Sequence, residues 1–347
     1  MALQNDQSPP PSPLERFEYA AAELMANTPP RWHHPNKAVA AVLSCPPDAL
    51  HRGTLVYTRW PTAPLSSGSF RRLLEPVIEF IEGVMDYAAA DGDRVHWQVN
   101  FADPELFFGY SSSLFAQDEW QVLEHPALGA LRERLKRDGR ATNMLANESH
   151  PGGAHGTPVL VSGVERRCEF LTRVGSGAGN GPVKSLYGRG FSVASPEVIR
   201  QAVRVIDPPT FSNIIAIAAP APELGRYTLS QIEQAARTAL TGFAAAVASS
   251  PSISHSAPAV VINTGFWGCG AFGGHRVLMS IVQLIAARAA GVAKVRFFAP
   301  AGDHRASFEQ AQKILDDLLL QDQSATVGVL LSSLAKMGFQ WGQSDGN

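Results

Sequence analysis

Cysteine is almost missing: Cys45, Cys168 and Cys269 are the only three in 347 residues. Their odd number and wide spacing exclude a disulfide framework and offer no zinc-binding pattern. Charge is scarce too. Charged residues make up 17% of the chain, 29 Lys and Arg against 31 Asp and Glu, for a net charge of -2. No general basic field exists, so nothing calls for direct nucleic-acid binding, and a nucleotide-like ligand needs a local site. No apolar run reaches the ~18 residues that span a membrane. The N-terminus lacks a basic segment followed by an apolar one, so no secretion signal is read. The expectation is a soluble, cytoplasmic protein. What is present is material for a core: 45% of residues are hydrophobic, as in a globular protein and unlike a disordered chain.

Residues 1–13 (MALQNDQSPPPSP) are polar and proline-rich and read as a disordered tail. Residues 14–347 read as a single domain in which strands alternate with helices, the pattern of a three-layer α/β/α fold. The spacing of apolar residues predicts helices over Leu14–Met25, Phe70–Ala90, Pro126–Arg137, Thr228–Val247, Ser307–Leu320 and Val327–Met337, after which the tail frays. Val39–Leu43 reads as helix or strand. Strands are predicted at Leu55–Trp60, from Val95, at Val159–Val164 and at Ile214–Ala218.

One stretch carries more information. Val260-Val261-Ile262 reads as a buried strand, and five glycines then fall within ten residues: Gly265, Gly268, Gly270, Gly273 and Gly274. A helical pattern through Val277, Leu278, Ile281, Val282, Leu284 and Ile285 follows, closed by Gly291, and a second strand spans Val295–Phe298. Strand, glycine-rich loop, helix and strand make one βαβ unit. A loop of this kind at a helix N-terminus suits an anion, because backbone N–H groups and the helix dipole favour negative charge. The spacing is neither GxGxxG nor a Walker A loop. The wording TGFWGCGAFGG resembles the TGxWGCGAFGG segment of poly(ADP-ribose) glycohydrolases, where the loop helps to surround the diphosphate of ADP-ribose. The resemblance implies ligand contact from Phe266, Trp267, Gly268, Cys269, Gly270, Ala271 and Phe272, and from Phe298 at the end of the second strand.

A second stretch, Val95–Leu123, starts as a strand, passes through a loop and enters a helix near Phe115–Trp120. It resembles the same family's QVDFANxxVGGGxLxxGxxQEE pattern without a gap. Gln98-Val99, Phe101-Ala102, Gly109, Gln117 and Glu119 match, and Asp118 replaces one acidic residue with another. By this resemblance Glu119 takes the place of the general acid, and Asp118 that of the carboxylate bonding the ribose hydroxyls. Asn100 and Asp103 exchange the family's Asp and Asn, and Phe107-Phe108-Gly109 replaces its triple glycine. That change argues against the polymer as substrate. Asp86 stands where the family has an acidic residue on adenine, and Tyr187 where it places an aromatic over the ligand.

Taken alone, Gln117-Asp118-Glu119 is a weak signal, since acidic residues in a helix's first turn serve its dipole. Adjacent helical residues diverge by roughly a quarter turn, so two carboxylates there divide their labour. The family resemblance sharpens the fold to a macrodomain-like mixed sheet with added N-terminal helices. It implies hydrolysis of a glycosidic bond at the distal ribose of an ADP-ribosyl or NAD-derived compound, with no cofactor. The implied partner is an ADP-ribose-containing small molecule or an ADP-ribosylated target. The alternative is a non-catalytic ADP-ribose reader. His150 and His155 read as solvated loop histidines with no metal partners at ligand spacing, and Gly175–Gly181 (GSGAGNG) reads as a linker. No Ser-His-Asp or Cys-His constellation is readable.

Overall fold

The structure, a computed structural model, describes residues 12–65, 67–88, 93–145, 156–174, 184–254, 258–300 and 302–344. His150, His155, the GSGAGNG stretch and most of the proline-rich tail lie outside the described residues. In chain order the elements are β1 (Glu15–Ala20), α1 (Ala21–Asn27), α2 (Pro35–Ser44), β2 (Thr54–Arg59), β3 (Val77–Glu82) and β4 (Arg94–Ala102). Then come α3 (Gln117–Glu124), α4 (Pro126–Arg137), β5 (Val159–Phe170), a small hairpin of β6 (Arg173–Val174) and β7 (Lys184–Ser185), α5 (Arg189–Ser192) and α6 (Pro196–Ala202). The remainder is β8 (Val203–Ala218), α7 (Leu229–Ser249), β9 (Ala259–Gly265), α8 (Arg276–Ala289), β10 (Lys294–Ala299), α9 (His304–Gln321) and α10 (Val327–Lys336).

Eight strands form one mixed sheet in the order β1-β2-β5-β8-β4-β9-β10-β3. The β1, β2, β5 and β8 pairings are antiparallel. From β8 onward, β4, β9, β10 and β3 run parallel. Strand alternation builds a different core on each face. Val95, Trp97 and Val99 of β4 join Ile215, Ile217, Val260, Ile262, Val295 and Phe297 beneath α7 to α10. The other face packs Ile214, Ala216, Val159 and Val161 against α1, α3 and α4 through Leu24, Val122, Leu128 and Leu131. This is a three-layer α/β/α arrangement of macrodomain type. Helix α8 is apolar nearly all round because it is enclosed on all sides, with Val277 to Ala287 buried throughout.

Two expectations fail, and both failures have a local cause. Phe70–Ala90 is not a helix: Val77–Glu82 forms the edge strand β3, paired in parallel with β10. Pro76 blocks a helix through this segment by excluding the α conformation at the preceding residue. The β-branched VIEFIE run then finds an open sheet edge. Leu14–Met25 divides into β1 and α1, because Glu15–Ala20 alternates inward and outward with period two. The tail after Met337 does not simply fray either. Trp341 stacks on Tyr227 with ring centroids 4.0 Å apart, and the Gly342 amide donates to the Gly273 carbonyl at 2.7 Å.

Candidate active site

Because β8, β4, β9, β10 and β3 are mutually parallel, their C-terminal ends lie along one side of the sheet, where ligands of open α/β sheets bind. The β4–α3 connection carries residues 103–116, and the neighbouring β9–α8 connection carries the glycine loop. The topology therefore brings the two informative stretches together.

Gln117 seats α3 on the end of β4. Its Oε1 accepts from the Phe101 amide at 2.7 Å, and its Nε2 donates to the Val99 carbonyl at 3.0 Å. Those bonds occupy the side chain with backbone. The next two residues are buried carboxylates, Asp118 and Glu119. Asn100 Nδ2 donates to Asp118 Oδ1 at 3.0 Å. An aspartate at position 100 would set two carboxylates against each other, so the Asn100 substitution suits this partner. Burial first, and the Glu119 charge second, hold the Asp118 carboxyl well above the usual carboxylate range. Asp118 Oδ2, Asn100 Oδ1, Gln98 Oε1 and Gln121 Oε1 are buried acceptors that meet no donor among the described residues. Such a group of orphaned acceptors fits water or ligand hydroxyls.

Glu119 turns back on its own helix start, with Oε2 accepting from the Ala116 amide at 2.9 Å. Its other oxygen lies against Gly109, where an added Cβ would overlap it. Gly109 is therefore required by close approach. Lys37 Nζ donates to the Gly109 carbonyl at 3.0 Å. Lys37 is fully buried, and desolvation brings it down to about 8 even though Glu119 and Asp118 both favour its charge. Sequence reasoning missed this cation. It sits in a short helix 80 residues from the carboxylates, and only a bias toward apolar neighbours (KAVAAVL) hinted at burial.

The two phenylalanines that replace the triple glycine part company. Phe107, at φ +54°, is wholly buried in the core under α4, whereas Phe108 is exposed and lies near the Arg132 guanidinium. The assignment of Phe107 to ligand contact is corrected on that ground, for its side chain offers no surface. Asp103 Oδ1 accepts from the Glu105 amide at 2.8 Å and shapes the loop's first turn.

In the glycine loop, Trp267 is likewise fully buried, and its indole donates to the Ile217 carbonyl at 3.0 Å. It anchors the loop from behind and makes no side-chain surface for a ligand, again correcting the expectation. Gly268 needs its φ of +73° and its lack of a side chain, since a Cβ would lie 2.7 Å from that of Ala219. Gln283 clasps the loop's start, donating to the Gly265 carbonyl at 3.0 Å while accepting from Thr264 Oγ1 at 2.6 Å. Cys269, held up by burial, donates weakly to the Trp267 carbonyl and is structural. Phe272 packs partly on the core, and Phe266 lies edge-on to Phe297 with centroids 5.0 Å apart. Among the described residues, the amides of Gly268, Gly270, Ala271 and Phe272 donate to no protein acceptor. Three of these donors, Gly270 to Phe272, are consecutive, and free amides before a helix N-terminus are of the kind that suits an anion.

Asp86 lies on the segment after β3 and forms a two-point ion pair with Arg296, at 2.8 and 2.7 Å. Burial works to raise its carboxyl, but Arg296 outweighs it and leaves it below the ordinary value. Tyr87 beside it accepts from Gln121 Nε2 at 2.9 Å, tying this segment to α3. Tyr187 is half-buried next to Gly188, whose amide donates to the Phe115 carbonyl at 2.8 Å just before α3. Phe298 is buried at the end of β10, with the Arg296 guanidinium 5.0 Å from its ring centre.

The raised Asp118 carboxyl has a consequence for stability. A proton is bound more tightly in the folded state, so the contribution is full below the unfolded value of about 4 and is lost as pH rises through the higher folded value. Asp118→Asn keeps an acceptor for Asn100 and cannot ionise. Its melting temperature is expected to gain on the parent's as pH rises from 5 to 8, by about 2 °C or more. Parallel melting curves across that range would remove the buried charge from the account.

Residues 187–306 match the family model described as poly(ADP-ribose) glycohydrolase (PARG), macro domain fold. The matched part holds Tyr187, the glycine loop and Phe298 and excludes α3. No match was found among curated proteins. Solved structures give weaker likenesses. The poly(ADP-ribose) glycohydrolase from Thermomonospora curvata bound to the inhibitor ADP-HPD is 18% identical, over 79% of this chain and 98% of that one, with a TM-score of 0.43. That from Deinococcus radiodurans in complex with ADP-ribose is 12% identical, over 87% and 95%, with a TM-score of 0.37. The likeness to the poly(ADP-ribose) glycohydrolase family is thus carried by residues 187–306, the part of the chain that holds the glycine loop.

Proposed function

We propose that this protein hydrolyses the glycosidic bond at the distal ribose of an ADP-ribosyl or NAD-derived compound. The observation that carries this reading is the buried Asp118–Glu119 pair at the start of α3, on the same side of the sheet as the four free amides of the glycine loop. The amides and the α8 N-terminus would take the diphosphate. Asp118, with its orphaned oxygen beside Gln98 and Asn100, would accept from ribose hydroxyls. Glu119 would protonate the leaving oxygen while an oxocarbenium-like ribosyl cation develops, and water would then capture that cation. The exposed Phe108 where the family has glycine supports a small glycoside over the polymer.

A reader of ADP-ribose is the second reading, favoured by one observation. Glu119 spends Oε2 on the Ala116 amide and is packed against Gly109, as a helix cap would be. Both readings place the diphosphate on the loop. Gly270 has an ordinary negative φ, unlike Gly268, so Gly270→Val probes the ligand face without straining the backbone. By calorimetry, ADP-ribose is expected to bind the parent and to lose about 1 kcal/mol or more in Gly270→Val, the scale of a charge-assisted hydrogen bond. Equal binding by both proteins would place the anion elsewhere.

A further inference from the structure

A second set of reactive groups lies away from the cleft. Cys45 caps the C-terminal end of α2, eight residues or about 12 Å of helix beyond Lys37. Its Sγ is 3.6 Å from His51 Nε2, and His51 Nδ1 is 2.9 Å from Glu165 Oε2. This is the order nucleophile, base, orienting carboxylate. Arg167 holds the set in place. Its guanidinium donates to Glu165 Oε2 at 2.6 Å and to the Leu50 and Ser44 carbonyls at 3.1 and 3.3 Å, on either side of the Cys45–Pro46 turn. The Arg52 amide donates to the second Glu165 oxygen at 2.8 Å. His51, Glu165 and Arg167 are nearly buried, whereas Cys45 is half-exposed.

We propose that Cys45, His51 and Glu165 form a nucleophilic thiol site, separate from the cleft, that reacts with small electrophiles of the hydroperoxide class. His51 takes the thiol proton, and Glu165 keeps the imidazole in the orientation and charge state for it. The sulfur attacks the distal oxygen of the hydroperoxide and the O–O bond breaks. Sulfur is oxidised to a sulfenic acid, and the departing alkoxide takes the proton from His51 to leave as an alcohol. The charges balance, with Arg167 and the imidazolium against Glu165 and the sulfur. Hydrogen bonds from Cys45 and then Glu165 bring His51 up to about 9, in line with a ring that keeps the proton. The partial negative charge at the C-terminus of α2 opposes an anionic sulfur, so His51 has to supply the stabilisation. The sulfur is only partly exposed and backed by nearly buried His51 and Glu165 side chains, which favours a small reagent over an acyl substrate.

Cysteine labelling of the full chain tests this, read by mass mapping after iodoacetamide at pH 6.5. Cys45 is expected to react about 10-fold or more faster than the same cysteine in an unstructured peptide. Cys168, buried and with its thiol held up by that burial, should stay unlabelled and serve as the internal control. His51→Gln should erase the advantage, and Glu165→Gln should reduce it. After dilute hydrogen peroxide, dimedone should trap a sulfenic acid at Cys45. Parent labelling no faster than the peptide overturns the proposal without any variant. So does a folded His51→Gln that labels at the parent rate, or a failure to trap the sulfenic acid.

Discussion

In Glu119→Gln, turnover of the true substrate is expected to fall about 10²–10⁴-fold while affinity for ADP-ribose changes little. Glutamine keeps the shape and can accept from the Ala116 amide as Glu119 Oε2 does, so α3 retains its cap. It cannot give up a proton. Asp118→Asn should differ, because the amide nitrogen puts a donor in place of one of the two buried carboxyl oxygens and weakens ground-state contacts to ribose hydroxyls. The contrast also tests the division of labour. Asp118 is the carboxyl that burial holds protonated to higher pH. Loss of turnover in Asp118→Asn with full activity in Glu119→Gln would therefore exchange the two roles. Full activity in both would move the chain to the reader class.

The second large effect is expected at Trp267. Trp267→Ala should cost about 3–5 kcal/mol in urea denaturation, the usual range for an emptied aromatic site in a core. It should also abolish ADP-ribose binding, since the indole is what fastens the glycine loop to the Ile217 carbonyl. Trp267→Phe fills most of the volume but removes the indole's hydrogen bond to that carbonyl, and should cost about 1–3 kcal/mol. If Trp267→Ala stays as stable as the parent, or still binds ADP-ribose undiminished, the loop is not held from behind in this way.

Local pattern was enough where neighbours in the chain decide the outcome. The β9–loop–α8–β10 unit was legible because its strands are short, β-branched and fully enclosed, and its helix is stopped by Gly291. Helix α4 and the Thr228 cap of α7, whose hydroxyl accepts from the Gln231 amide, were legible for the same reason. At Phe70–Ala90 the apolar spacing fitted a helix. What made Val77–Glu82 a strand was the free edge of β10, supplied by residues more than 200 positions later. The glycine loop's wording was readable, but not which of its aromatic side chains would turn inward. Trp267 is decided by the position of β8, and Phe107 by the core under α4.

Sequence by itself determined the mixed α/β order, the glycine loop and the paired carboxylates, because each is written in a run of consecutive residues. Tertiary structure alone decided the charged surroundings. Lys37 meets the Gly109 carbonyl across 72 residues, and His51 meets Glu165 across 114. Neither pairing leaves a periodic or spaced signal, since a buried charge is selected by what faces it once the layers close, and not by its neighbours along the chain. Cys45 illustrates this. With no spacing to mark it, it read as one of three unrelated thiols, and the fold, with Arg167 of β5 bonded to the end of α2, set a histidine and a carboxylate behind it.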